Sequence, residues 1–257
     1  MLSQASFVRG AHGTDMTRTG MLARVRKALV NLAIIILDSR VALRILDVLD
    51  ARSANRMSEL GMIRQAFEFK AINRVNGDYF EFGLWKGKTF CYAHNMKRRF
   101  SQEGMMLFGF DSFQGLPETD DQKDNIWRTG AFACSEKELR QILHRNRFQN
   151  KEYELIGGFY EESLNEALHQ RLSGRKAAIV YVDCDLYTST ARVLDFIRRY
   201  LVNGSIVCFD DFFHYKGAPD QGEQKALSEF LQAHSDIEFI PYMHYSPLGK
   251  SFIVRCN

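Results

Sequence analysis

At 257 residues, with 46% apolar and 25% charged side chains, the chain has the size and balance of one large α/β domain, or of a domain with an appendage. Its net charge of only +3 makes no case for nucleic acid as a partner. Five cysteines (Cys91, Cys134, Cys184, Cys208, Cys256), odd in number and never spaced C-x-x-C, argue against a disulfide framework and a structural zinc site. They suit a reducing compartment, so the expected location is cytoplasmic.

Residues up to about 19 carry no pattern and read as a loose terminus. Over residues 21–69 the apolar spacing is helical, with Leu22, Val25, Leu29, Leu32 and Ala33 on one face and Leu43, Leu46 and Leu49 opening a second stripe. The stretch "ALVNLAIIIL" (residues 28–37) is about half the roughly 20 residues that a membrane-spanning helix needs. Asp38, Arg40 and Arg44 follow it in place of a small-residue cleavage site, so a helix outside the membrane is expected, with peripheral membrane contact the lesser alternative. The segment is expected to pack on the main domain or on a second copy, which makes it the candidate contact of a homodimer or higher homo-oligomer.

From residue 77 strands and helices alternate. "DYFEFG" is a strand, and residues 85–99 a helix; "MMLFGFD" is a strand ending at Asp111. "SFQGLPETDDQKDN" is a loop, and "SEKE" (residues 135–138) is a capping box that opens a helix. "YELIGGF" is a strand and "EESLNEALHQRL" a helix. "AAIVYVDCD", the most apolar strand, is expected at the centre of the sheet. A helix then runs to about Leu201, followed by the buried strand "SIVCFDDF". "IEFIPYMHY" and "SFIVRC", joined by a Pro-Leu-Gly turn, form an antiparallel edge. The seven strands imply an α/β fold with a mainly parallel sheet, an antiparallel C-terminal hairpin and a helical N-terminal segment. The division expected is 1–69, tail and helical segment, and 70–257, the main domain.

In such a sheet ligands bind beyond the carboxyl ends of the strands, and there the acids fall: Glu81, Asp111, Asp183, Asp185, Asp210 and Asp211. In "EFGLWKGKT" (residues 81–89), Gly83 and Gly87 let a strand-to-helix turn approach a ligand closely. A P-loop fits poorly, because Phe82 stands where its first glycine belongs. An amino-acid-bearing nucleoside suits the turn better, with Glu81 facing an ammonium group and Thr89 a carboxylate; the alternative is a tight turn with Glu81 only capping the helix. Asp111 is placed to bond both ribose hydroxyls, or to form an Asx turn, or both. Asp183 and Asp185, two apart, converge if the strand stays extended, and Asp210 and Asp211 end a neighbouring strand. Four carboxylates in one crevice suit a hard divalent cation, magnesium, manganese or calcium rather than zinc; the alternative is one carboxylate capping the helix at about Thr188–Thr190 with the others solvated. His214 reads as a lone loop histidine; Trp85, Trp127, Phe212, Phe213 and Tyr215 line an acceptor pocket or pack in core and loops.

Taken together, "EFGLWKG" (residues 81–87), "FDSFQGLPE" (110–118), "GAFACSEKEL" (130–139), "VDCDLYTST" (182–190) and "NGSIVCFDDF" (203–212) resemble the metal-dependent sugar O-methyltransferases of the macrocin O-methyltransferase type. The resemblance covers roughly residues 77–212. It implies a class I methyltransferase, Rossmann-like fold and S-adenosylmethionine as cofactor, held by Glu81, Gly83, Trp85, Gly87, Thr89, Asp111 and Ser112. It further implies Mg2+ (or Mn2+) on Asp183, Asp210 and Asp211, with Asp185 as general base and a sugar-containing acceptor. Cys184 replaces the usual glycine between the two aspartates, and "FFHYKGAPDQGEQKAL" replaces the family's short Cys/Gly stretch, so the acceptor is not inherited. Two rival readings are a metal-dependent glycosyltransferase using Asp183-Cys184-Asp185 and a catalytically silent binding subunit of the same fold. The first explains one motif only, and the intact acids argue against the second.

Overall fold

The computed structural model describes residues 58–118 and 128–257, so the helices expected within residues 21–57, and Trp127, lie outside the described residues. In chain order the elements are α1 (Glu59–Asn73), β1 (Asp78–Phe82), α2 (Lys88–Arg99), β2 (Leu107–Asp111), α3 (Glu136–Arg145), β3 (Tyr153–Gly157), α4 (Tyr160–Ser163) and α5 (Glu166–Arg171). There follow β4 (Ala177–Val182), α6 (Tyr187–Ile197), β5 (Leu201–Phe209), a short 3-10 turn (Tyr215–Gly217), α7 (Gly222–Ala233), β6 (Ile237–Tyr245) and β7 (Gly249–Cys256).

The seven strands form one sheet in the order β3-β2-β1-β4-β5-β7-β6. The first five are parallel, and β7 pairs antiparallel with both β5 and β6, as the hairpin reading expected. β4 is central and buried along its whole length. Side chains alternate across a strand, so each strand divides its apolar residues between two layers. Phe80, Phe82, Phe110, Val180, Val182 and Phe209 pack under α6 and α7. Tyr79, Leu107, Ile179, Tyr181 and Cys208 pack on the other face with α1, α2 and α3. Burying each large side chain contributes about 1.5–3 kcal/mol, so these two layers carry the fold.

Several elements differ from the sequence reading, each for a local reason. α1 runs across residues 69 and 70, and its Met62, Ile63, Ala66 and Phe67 are fully buried in the sheet's core. The helix expected over residues 161–172 is two helices, because Asn165 adopts an extended conformation and its side chain accepts from Leu168 N, capping a new start. α6 ends at Ile197 rather than near Leu201, and β5 begins at Leu201 opposite Ala177. An irregular register there is bridged by Ser205, whose hydroxyl donates to Ala177 O at 2.6 Å and accepts from Val202 N. β5 stops at Phe209, short of the acid pair. The capping box at Ser135 and Glu138 is present in both directions.

The order of the parallel strands reverses direction between β1 and β4, and the chain there is packed to contact. Gly83 has φ +88, and a Cβ on it would lie 1.7 Å from Asp183 O. Gly83→Ala is expected to lower the unfolding free energy by at least about 2 kcal/mol, read from urea denaturation, since backbone and not a flexible side chain blocks the methyl. An unchanged midpoint would refute this crossing.

Candidate active site

Phe82, Phe110, Val182 and Phe209 stand in one row across β2, β1, β4 and β5. The next residue on each strand is Gly83, Asp111, Asp183 and Asp210, so one glycine sits among three acids at the carboxyl edge of the sheet. These residues open a cleft of about 300 Å3, lined further by Trp85, Ser112, Phe132, Tyr160, Asp185 and Asp211.

One side of the cleft is built from main-chain hydrogen bonds. Gly83 N donates to Phe110 O at 2.9 Å and Asp183 N to Phe82 O at 2.8 Å. Asp111 Oδ2 accepts from Leu84 N (2.7 Å) and Trp85 N (3.1 Å), while Oδ1 accepts from Phe113 N (2.7 Å). Asp111 therefore makes the Asx turn and also stitches the glycine turn to its own loop. The Ser112 hydroxyl donates to Gly115 O and accepts from Gln114 N. At the mouth Trp85, 46% exposed, meets Phe132, 48% exposed, edge to face at 5.7 Å.

Three residues expected at the cofactor, Glu81, Gly87 and Thr89, are not among those lining the cleft. Strand alternation turns Glu81 with Tyr79 toward α1 and α2. Glu81 is fully buried, and its carboxylate accepts from the Thr89 hydroxyl at 2.6 Å and from the Tyr79 hydroxyl. Thr89 is thus committed to Glu81 instead of reaching a ligand carboxylate. Burial pushes Glu81 up to about 8, against the lowering by these two hydroxyls. Gly87 occupies the N-cap of α2, with Leu139 pressed on the position a Cβ would take.

The other side is acidic. Carboxylate oxygens of Asp183, Asp185 and Asp211 all lie within 4.8 Å of one another. They converge through a turn and not through an extended strand: β4 ends at Val182, Asp185 is left-handed (φ +62), and Leu186 N donates to Cys184 O. Asp210 lines the same cleft, and its Oδ1 accepts from the Tyr181 hydroxyl at 2.5 Å. The converging trio thus contains Asp185 where the resemblance implied Asp210. Burial, then the charge of Asp210, raises Asp183; burial, then Asp211, raises Asp185. Asp210 is pushed up to about 6 by burial, with the Tyr181 hydroxyl pulling the other way. A donor set made only of oxygens, converging and mutually repelling, fits a hard divalent cation.

Two partners of this group were not legible as such in the sequence. His214 Nδ1 stands 3.3 Å from Asp211 Oδ1, and its main-chain N–H donates to Asp211 O. Glu223, in the first turn of α7, is 1% exposed and accepts from Asp211 N at 3.1 Å. Tyr160 and Glu161, also on the lining, follow the end of β3, where the strand-end rule applied to "YELIGG" would have found them. Phe212 is a core residue, and Tyr215 packs by Leu116 and Leu186, so packing accounts for both.

The sheet order, the reversal between β1 and β4 and the cleft above it define the class I methyltransferase fold. The chain belongs to the macrocin-O-methyltransferase (TylF) family, whose model matches residues 53–238. A demethyldecarbamoylnovobiocin O-methyltransferase of Streptomyces niveus is 27% identical over 163 residues, which cover 61% of this chain and 60% of that protein. An 8-demethyl-8-(2,3-dimethoxy-alpha-L-rhamnosyl)-tetracenomycin-C 4'-O-methyltransferase of Streptomyces olivaceus is 24% identical, with the same coverage. The chain thus spans about 60% of the length of these curated relatives. Among solved structures, CalS11, a calicheamicin methyltransferase, shares the fold with a TM-score of 0.65 at 21% identity, covering 98% of this chain and 99% of CalS11. No helix among the described residues is long and apolar enough to cross a membrane.

Glu81 makes stability pH-dependent with a definite sign. Its carboxyl group moves from 4.5 to about 8 on folding, so between those values the folded state holds a proton that the unfolded state has released. Its contribution is full below pH 4.5 and is lost as pH rises toward 8. Chemical denaturation at several pH values across that window should show unfolding free energy falling with pH, less steeply in Glu81→Gln. Parallel slopes in the two proteins would contradict the buried, protonated carboxyl.

Proposed function

We propose that the protein is an S-adenosylmethionine-dependent O-methyltransferase acting on a hydroxyl of a sugar, in a glycan or a glycosylated natural product, with a divalent cation, Mg2+ or Mn2+. The observation that carries this reading is the single cleft joining the Gly83–Asp111 wall to the acids at the reversal between β1 and β4. Family membership and a rhamnosyl 4'-O-methyltransferase among the relatives support the acceptor class.

S-adenosylmethionine, when bound, would supply an electrophilic methyl group for the acceptor oxygen. A bound divalent cation would supply Lewis acidity toward the acceptor hydroxyl. The chain's residues do the rest. Gly83, Trp85, Asp111 and Ser112 seat the cofactor, with Asp111 keeping the turn in shape through Leu84 N and Trp85 N. Glu81, Gly87 and Thr89 support that turn from beneath. Trp85 and Phe132 close the mouth against water. Asp183, Asp210 and Asp211 would hold the cation, and Asp185 receives the proton of the acceptor hydroxyl. Alignment of acceptor and methyl group contributes through positioning.

The convergence of Asp183, Asp185 and Asp211 favours a second division of roles, in which Asp185 is a ligand and Asp210, oriented by Tyr181, accepts the proton. One variant separates the two. Asp185→Asn is expected to lower kcat by about 10²–10⁴-fold, with S-adenosylmethionine affinity within about threefold of wild type. Under the first division its cation affinity, from calorimetry, is unchanged; under the second it is lost. Methyl transfer from S-adenosylmethionine to a panel of glycosylated acceptors, followed by mass spectrometry, tests the function as a whole. Undiminished transfer in excess EDTA would remove the cation, and binding of a nucleotide-sugar in place of S-adenosylmethionine would remove the methyltransferase reading.

A further inference from the structure

Glu223 is buried where a carboxylate is expensive. It is 1% exposed, and its Oε1 has no hydrogen-bond partner among the described residues. An acid in the first turn of a helix is ordinary when solvated, because the helix dipole favours it there. Buried beside other acids it is not, and an apolar residue would extend the layer formed by Ala226, Leu227 and Phe230.

What such a replacement would lose is one hydrogen bond: Glu223 Oε2 accepts from Asp211 N at 3.1 Å, across twelve positions of chain. The excursion between them is built to return. The main-chain N–H of His214 donates to Asp211 O, and Tyr215 packs by Leu116 and Leu186. Gly222 has φ +54, and a Cβ on it would press on the Tyr215 ring at 2.8 Å, so α7 starts tight under that ring with Glu223 aligned on Asp211. The main chain of Asp211 is thereby held on both sides, N–H by Glu223 and C=O by His214.

We propose that Glu223 is a positioning residue for the cation-holding acids: through Asp211 N it fixes the main chain after β5 so that the Asp210 and Asp211 carboxylates stay on the cleft. The inference rests on the cation reading above. Reach, not charge, is the property at stake, so two conservative variants divide it. Glu223→Gln keeps an oxygen at the same reach and removes the ionisable carboxyl group; Glu223→Asp keeps the carboxyl group and draws the oxygens back by one methylene.

Electron paramagnetic resonance titration with Mn2+ reads cation affinity directly, without turnover, and hydrogen exchange reads the Asp211 amide. Glu223→Gln is expected to bind Mn2+ within about threefold of wild type, and Glu223→Asp about tenfold more weakly with faster exchange at Asp211. Melting curves without cation check that both variants fold. Wild-type affinity in Glu223→Asp, or weakened affinity in Glu223→Gln, would overturn the inference, the latter by assigning the effect to charge. A wild-type protein that binds no Mn2+ would instead remove the cation reading, and this inference with it.

Discussion

The approach of β1 to β4 just past their paired ends is the constraint on which the site depends. With 1.7 Å between the place of a Gly83 Cβ and Asp183 O, the turns that leave the two strands share one wall. That contact sets a loop rich in main-chain donors beside a loop rich in carboxylates. Asp111 extends the same wall by binding the N–H groups of Leu84 and Trp85, so three strand ends act as one piece. A side of main-chain donors and an acidic side then face a single volume because the sheet reverses there, not because any one motif carries both.

The acids make this a costly edge. Glu81, Asp183, Asp185, Asp210 and Glu223 all hold their protons more tightly than ordinary carboxyl groups, and burial is the first cause in each. Two phenols offset part of the cost from the same layer: Tyr79 donates to Glu81 and Tyr181 to Asp210. Both rings are fully buried in the layer under α1 and α2, so core packing also orients the hydroxyls at the site. The large aromatic layer on the opposite face, with Phe82 stacked on Phe110, supplies stability that the acidic edge does not.

The succession of strands along the chain and the acid positions were legible because both rest on short-range pattern. Apolar runs followed by Asp or Gly mark strand ends, and the rule for open sheets does the rest, so Gly83, Asp111, Asp183 and Asp210 emerge from counting along the chain. Alternation also assigns Glu81 and Phe82 to opposite faces, but a sequence does not say which face borders the cleft; hence Glu81 and Thr89 turned out paired beneath the turn. The convergence of Asp185 depends on a left-handed residue flanked by Cys184 and Leu186, with no glycine or asparagine to signal it. Glu223 bonds a residue twelve positions away, beyond the range of helix periodicity, and it lies on α7, a helix that the sequence reading did not assign. Ser205 and Asn165 altered element boundaries through single side-chain bonds, the level at which propensity reasoning is weakest.

The place of β7 bears on how the sheet is assembled. β5, which delivers Asp210 and Asp211, pairs on one side with β4 and on the other with β7, which is made only after α7 and β6. Until then β5 is an open edge of apolar residues, Ile206, Val207, Cys208 and Phe209, with its outer N–H and C=O groups unclaimed. Until β7 pairs, the strand that leads into the acid pair is therefore open on that side to a foreign strand, and the insertion of β7 seals that edge.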